Sequence, residues 1–147
     1  MIEALSTHRN RVLTVVVLAI AAAFAAAAGL VVINDNPPGI LLAYGAAAVL
    51  ILAVVHPWRT SKKFRYLLYG SFVGFFVFAF VHNVFEVVAE RMGGPGFLYA
   101  VLQGIQVAAF LIAVLVCPPA LVIAAVGAVV MAIRNRRRPV PDADTLA

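Results

Sequence analysis

The chain has 147 residues, of which 65% are hydrophobic and 12% charged, whereas a soluble domain has roughly 45–50% apolar and about 25% charged residues. A soluble globular fold is therefore excluded, and apolar runs of about 18 residues or more predict an all-α integral membrane protein. The 11 Lys and Arg residues outnumber the 6 Asp and Glu residues, but they flank apolar runs, so we expect membrane topology rather than nucleic-acid binding to explain them.

The first two predicted spans are rich in alanine. The first, 12–33, ends at the turn-forming sequence 34–39, and it is too long for the apolar part of a signal peptide, which has about 7 to 15 residues. The second, 40–55, ends at Pro57 and Trp58, where proline stops a helix and tryptophan suits the headgroup region. Small residues let helices approach closely in lipid, so these spans are expected to be neighbours. The alternative is that alanine only reflects a biased composition.

The third predicted span, 66–89, is rich in phenylalanine, and the last apolar run covers 97–133. As one helix, this run would be roughly 55 Å long, well beyond the hydrocarbon core of about 30 Å. Pro118 and Pro119 therefore predict a kink within a long fourth helix. The alternative is that the chain turns round at these prolines and crosses the membrane five times.

The basic residues decide between four and five crossings. They form three groups: Arg9 and Arg11; Arg59, Lys62, Lys63 and Arg65; and Arg134, Arg136, Arg137 and Arg138. With four crossings, all three groups lie on one side and only Arg91 lies on the other. The positive-inside rule then predicts four transmembrane helices with both termini in the cytoplasm. We expect the membrane to be a prokaryotic cytoplasmic membrane. We expect a single transmembrane domain over 1–138 and a disordered tail over 139–147.

The cytoplasmic edge is also expected to meet lipid headgroups. The residues concerned are Trp58, Arg59, Lys62, Lys63, Arg65, Arg134, Arg136, Arg137 and Arg138. Anionic lipids attract such cations at about 1 kcal/mol per charge. The alternative is that these residues only anchor the topology, and His56 is expected to be a solvated residue at the same edge.

A cluster of polar residues interrupts the last two spans. It consists of His82, Asn83 and Glu86 on the third span and Gln103 and Gln106 on the fourth. Residues three or four apart share a helix face, so each set can point in one direction. If the two spans form a hairpin about 94–95, Asn83 lies at the depth of Gln106 and Glu86 at that of Gln103, in the outer leaflet.

Three interpretations of this polar cluster remain open. It can be a hydrogen-bonded clamp between helices, because lipid offers no other partner. It can line a path for protons, a cation or a polar solute, since ionisable groups within a membrane are costly. It can bind a metal through His82 and Glu86, but zinc requires three or four ligands. We therefore predict no metal site.

No catalytic or cofactor motif occurs in the chain, and the lone Cys117 cannot form an intrachain disulfide or a Cys-x-x-Cys pair. We expect a non-catalytic assembly or stabilising subunit, without a cofactor, that works as a homo-oligomer or with other membrane subunits. The alternative is a small channel or transporter for protons, a cation or a polar solute, with His82, Asn83 and Glu86 on the pathway.

Overall fold

The computed structural model describes residues 8–31, 36–92 and 96–136, which are helical apart from short connections and contain no strand. The helices are α1 (His8–Val31), α2 (Pro37–Val55), α3 (Ser61–Arg91), α4 (Phe97–Leu111) and α5 (Cys117–Arg136), and a π-helical turn (Ile112–Val116) joins the last two. The predicted tail 139–147 lies outside the described residues, as do Arg137, Arg138 and parts of both predicted outer loops.

Among the described residues, four helical segments are long and apolar enough to cross a membrane: α1, α2, α3, and the 40 residues from Phe97 to Arg136 taken together. The prediction of four apolar helices is confirmed, and the chain is a multi-pass membrane protein. Helix α3 begins at Ser61, earlier than the predicted span. The basic residues Lys62, Lys63 and Arg65 therefore belong to its first turns.

The last helix passes its two prolines without ending. The backbone N–H of Cys117 donates to the carbonyl of Ile112, five residues earlier, which is the π-helical pattern. Because Pro118 and Pro119 have no N–H to donate, a local change of hydrogen bonding is expected in front of them. The apolar run from Phe97 is thus one helical span, and the chain does not turn round at the prolines.

The helices pack in the order α1, α2, last helix, α3. Within the described residues α1 contacts only α2, α2 also contacts α5 and the π-helical turn, and α3 contacts α4, the π-helical turn and α5. Most of the buried residues are alanines, namely Ala21, Ala28, Ala43, Ala53, Ala89, Ala109, Ala113, Ala120 and Ala124. The large apolar side chains mostly face outward, as expected where the surroundings are lipid.

Two glycines mark close approaches between helices. A Cβ atom on Gly127 of α5 would collide with the ring of Phe64 on α3. A Cβ atom on Gly45 of α2 would lie 3.0 Å from Cδ1 of Phe24 on α1. At both places an aromatic ring of one helix rests on the bare backbone of the next.

Candidate functional site: the polar cluster and the basic end

His82 is the member of the polar cluster that joins α3 to α4. Its Nδ1 lies 3.3 Å from the backbone carbonyl oxygen of Gln106, and since a carbonyl only accepts, Nδ1 is the donor. Its ring also packs at 5.1 Å, between centroids, from the ring of Phe110. His82 therefore faces the α3–α4 contact.

Glu86 lies one helical turn from His82. Its Oε2 is 3.9 Å from Nε2 of His82, and the side chains of His82 and Glu86 are 23% and 44% exposed. This distance is too long for a hydrogen bond but suits an ion pair when the imidazole is protonated. Among the described residues, Glu86 has no other ionic partner.

Two of the three amide side chains of the cluster bond within their own helices. Asn83 is exposed, and its Nδ2 donates to the carbonyl of Ala79 at 2.7 Å. Nε2 of Gln103 donates to the hydroxyl of Tyr99 at 2.9 Å. The Oε1 atom of Gln106 is buried and has no hydrogen-bond partner in the described part of the chain.

The structure thus brings His82 to the backbone of Gln106, but no hydrogen bond joins Asn83 to the side chain of Gln106 or Glu86 to Gln103. The reason is rotation about the axis of α3. Successive residues of an α-helix are about 100° apart, so with His82 turned toward α4, Asn83 turns toward the outside. Within residues 8–31, 36–92 and 96–136, no three His, Cys, Asp or Glu side chains come together to hold a metal ion.

Two basic residues from different segments meet near the opposite end of α3. Arg9 of α1 and Arg59 of the α2–α3 junction line one cavity. Arg59 also lines a second cavity with Val130 and Met131 from the end of α5. The start of α1, the junction and the end of α5 therefore lie at one end of the molecule, called here the basic end.

His56 at the basic end differs from the solvated residue that the sequence suggested. It is half-buried, its Nδ1 lies 2.9 Å from the carbonyl of Ala53, and its Nε2 is buried without a hydrogen-bond partner among the described residues. No sequence signal indicates this environment, because it depends on how the α2–α3 junction folds over α5.

Comparison with protein-family models, with curated proteins and with solved structures finds no match to this chain. The two candidate sites are therefore defined by their own geometry: the polar cluster within the membrane span and the cavities at the basic end.

Proposed function

We propose that the protein is a non-catalytic assembly or stabilising subunit that works as a homo-oligomer or within a larger membrane complex. The observation that carries the proposal is the position of Asn83, a polar side chain exposed well inside a membrane-spanning helix. It lies eight residues before Arg91, or roughly 12 Å along the helix axis. Lipid at this depth offers no hydrogen-bond partner, whereas a neighbouring helix does.

The surface around Asn83 supports this proposal. Phe76, Phe80 and Val87 are 58%, 69% and 46% exposed and share the face of Asn83 by their spacing of three and four residues. Helix α3 also lies at the end of the row opposite α1, and it has no contact to α1 or α2 among the described residues. Asn83 already donates one hydrogen bond to Ala79, but its amide has a second N–H and an oxygen that can accept. A partner helix on this face, called here the Asn83 face, would bond to these groups, and such a bond contributes about 0.6–2 kcal/mol.

Cross-linking in native membranes tests the proposal. In a Cys117→Ala background, Phe80→Cys should form a disulfide or react with a short bifunctional thiol reagent to give a larger species. Val15→Cys on α1, where Val15 is 65% exposed, is the matched control and should give none. Asn83→Leu should weaken the Phe80→Cys product. A wild-type chain that stays monomeric in lipid, with no adduct at Phe80→Cys, would contradict the proposal.

The proposed topology places both termini in the cytoplasm of a prokaryotic membrane. Its support is the gathering of Arg9, Arg59 and the end of α5 at the basic end, together with the positive-inside rule. An impermeant thiol reagent added to intact cells should label Gly96→Cys and not Thr60→Cys, both in the Cys117→Ala background. Labelling of Thr60→Cys from outside would show that the protein has the opposite orientation.

The proposal also includes a kink of the fourth helix at Pro118 and Pro119. Its support is the π-helical turn directly before them, because π-helical turns and prolines are common causes of kinks. Electron paramagnetic resonance distances between spin labels on Phe97 and Val130 should lengthen when both prolines are replaced by alanine. Unchanged distances would indicate a straight helix.

A channel or transporter is the second candidate, favoured by the open carboxylate of Glu86 beside His82. An ionisable pair inside a span is a reason to test for transport. The purified protein in liposomes should show no proton or cation flux above that of empty liposomes if it is a subunit. Flux that Glu86→Gln abolishes, in a variant that keeps its melting temperature, would reject the subunit proposal and establish the pathway.

A further inference from the structure

Two cavities adjoin at the basic end. One, called here the polar cavity after the polar residues in its lining, has a volume of about 410 Å³. It lies between Arg9, Asn10 and Leu13 of α1 and His56 and Arg59 of the α2–α3 junction. The other is an apolar groove of about 350 Å³ that His56 and Arg59 also line. Further groove-lining residues are Leu52, Trp58, Phe64, Val122, Val126 and Val130. A cavity lined by two arginines therefore lies beside an apolar groove.

Backbone and ring contacts hold the junction in place. The N–H of His56 donates to the carbonyl of Leu52 at 2.9 Å, and the N–H of Trp58 donates to that of Val55 at 2.9 Å. The rings of Trp58 and Phe64 pack edge to face with their centroids 5.4 Å apart. The hydrogen-bonded turn thus carries His56 and Arg59, which line both cavities, and the packed rings line the apolar groove.

Among the described residues that line the polar cavity, the positive charge of the arginines has no matching negative charge. Neither Arg9 nor Arg59 has a carboxylate partner among the described residues. Nδ1 of His56 donates to the carbonyl of Ala53 at 2.9 Å, while its Nε2 has no partner in the part of the chain that the structure describes. Two guanidinium groups around one cavity are suited to a phosphate, whose oxygens accept several N–H bonds at once.

We infer that the two cavities form one binding site for an anionic phospholipid of the adjacent leaflet. Its phosphate lies between Arg9 and Arg59, and an acyl chain lies in the apolar groove. Charge complementarity selects an anionic headgroup, and each cavity falls within the roughly 300–1,000 Å³ range of small-molecule sites. Since α1 contacts only α2 among the described residues, the bound lipid also ties α1 to the α2–α3 junction.

The headgroup half of the site is tested by native mass spectrometry of the full chain in a neutral detergent. With equal amounts of dioleoylphosphatidylglycerol and dioleoylphosphatidylcholine added, the wild type should retain one phosphatidylglycerol. Arg9→Gln with Arg59→Gln should weaken its apparent affinity about 30-fold, because two cationic contacts are lost. Arg65→Gln with Arg136→Gln is the matched control, with the same change of charge at the same end. These two residues line neither cavity, so only their general attraction for headgroups is lost, and the affinity should fall by no more than about threefold.

A pair of variants on α5 tests whether an acyl chain occupies the apolar groove. Val126 lines the groove, and Val129 does not, while their exposures are nearly equal at 58% and 57%. Val126→Trp should fill the groove and reduce phosphatidylglycerol retention at least tenfold, whereas Val129→Trp should leave it unchanged. This comparison does not depend on the arginine variants, so it tests the site even if one of them fails to fold.

Three results would overturn the inference. Equal retention of phosphatidylcholine would show that charge does not select the ligand. An equal loss in the Arg65→Gln and Arg136→Gln control would show that only the overall charge matters. Displacement of the lipid by an equimolar amount of inorganic phosphate would indicate a soluble anion as the ligand and no role for the groove.

Discussion

The α1–α2 contact and the α3–α5 contact are built in similar ways but have different surroundings. In each, an aromatic ring of one helix lies on a glycine of the other, Phe24 on Gly45 and Phe64 on Gly127. Helix α5 also contacts α2, whereas α1 contacts α2 alone among the described residues. In lipid, where no hydrophobic drive holds helices together, a helix with one neighbour can separate without disturbing the rest.

The largest effect is expected at Gly127. Gly127→Ala places a Cβ against the ring of Phe64, which is only 6% exposed and can shift only toward the apolar groove that it lines. Overpacking of this kind costs about 1–3 kcal/mol, so the melting temperature in detergent should fall clearly.

Two further variants make the Gly127 result specific. Gly104→Ala, where nothing lies within 4 Å of the added Cβ, should not lower the melting temperature. Phe64→Leu combined with Gly127→Ala should recover part of the loss, because the smaller side chain leaves room for the methyl group. A Gly127→Ala protein as stable as the wild type would show that the α3–α5 contact is looser than described.

A somewhat smaller and local effect is expected at Gly45. Gly45→Leu should displace Phe24, whose ring is 36% exposed and can turn outward, at a cost of about 1 kcal/mol. Because α1 contacts only α2 among the described residues, faster hydrogen–deuterium exchange should be confined to these two helices. Gly29→Leu, with open space around the added Cβ, is the control. Faster exchange in α3 would show that α1 supports the whole molecule.

A slight gain in stability is expected at Gly74, the remaining glycine of the α3–α5 contact. A Cβ there would lie 3.7 Å from Sγ of Cys117, which is ordinary van der Waals contact. Gly74→Ala should raise stability by up to about 0.5–1 kcal/mol, because alanine loses less backbone entropy in a helix. A lower melting temperature would mean that this part of the contact is as tight as Gly127.

The smallest effect concerns coupling across the α3–α4 contact. Since Gln103 bonds to Tyr99 and not to Glu86, Glu86→Leu and Gln103→Leu should be additive to within about 0.5 kcal/mol in unfolding free energy. A double-mutant cycle in detergent measures this. If the double variant loses clearly less unfolding free energy than the sum of the two single variants, Glu86 and Gln103 interact, as their equal depth predicts.

Apolar runs, prolines and basic residues predicted four spans and one long fourth segment, because the length of apolar chain that crosses lipid is set by the bilayer. Helix rotation could not be predicted in the same way. His82 and Asn83 are adjacent in sequence and equally polar, yet His82 contacts the backbone of Gln106 and Asn83 faces outward. Rotation is decided by contacts such as Phe64 on Gly127, which join residues far apart in the chain.

The cavities at the basic end were also beyond sequence reasoning. The sequence indicates that the basic residues at this end interact with lipid headgroups or fix the topology. It does not indicate which of them share a cavity, because the lining residues come from three segments that are far apart in the chain. Arg9, His56 and Val126 come from α1, the junction and α5. Only the packing of α2 between α1 and α5 brings these segments together.

The π-helical turn at Ile112–Val116 also sets the phase of the fourth helix. A π-helical turn accommodates one residue more than the α-helical pattern, and one residue corresponds to a rotation of about 100°. Deleting one residue here, such as Val114, would therefore restore the regular α-helical pattern and keep the two halves of the helix in phase. Winding the same residues as a regular α-helix would instead turn the two halves against each other. The half before the turn could still meet α3, but Ala120 and Ala124, now buried, would swing away from their neighbours. The length of this turn thus determines which face of α5 reaches α2 and α3.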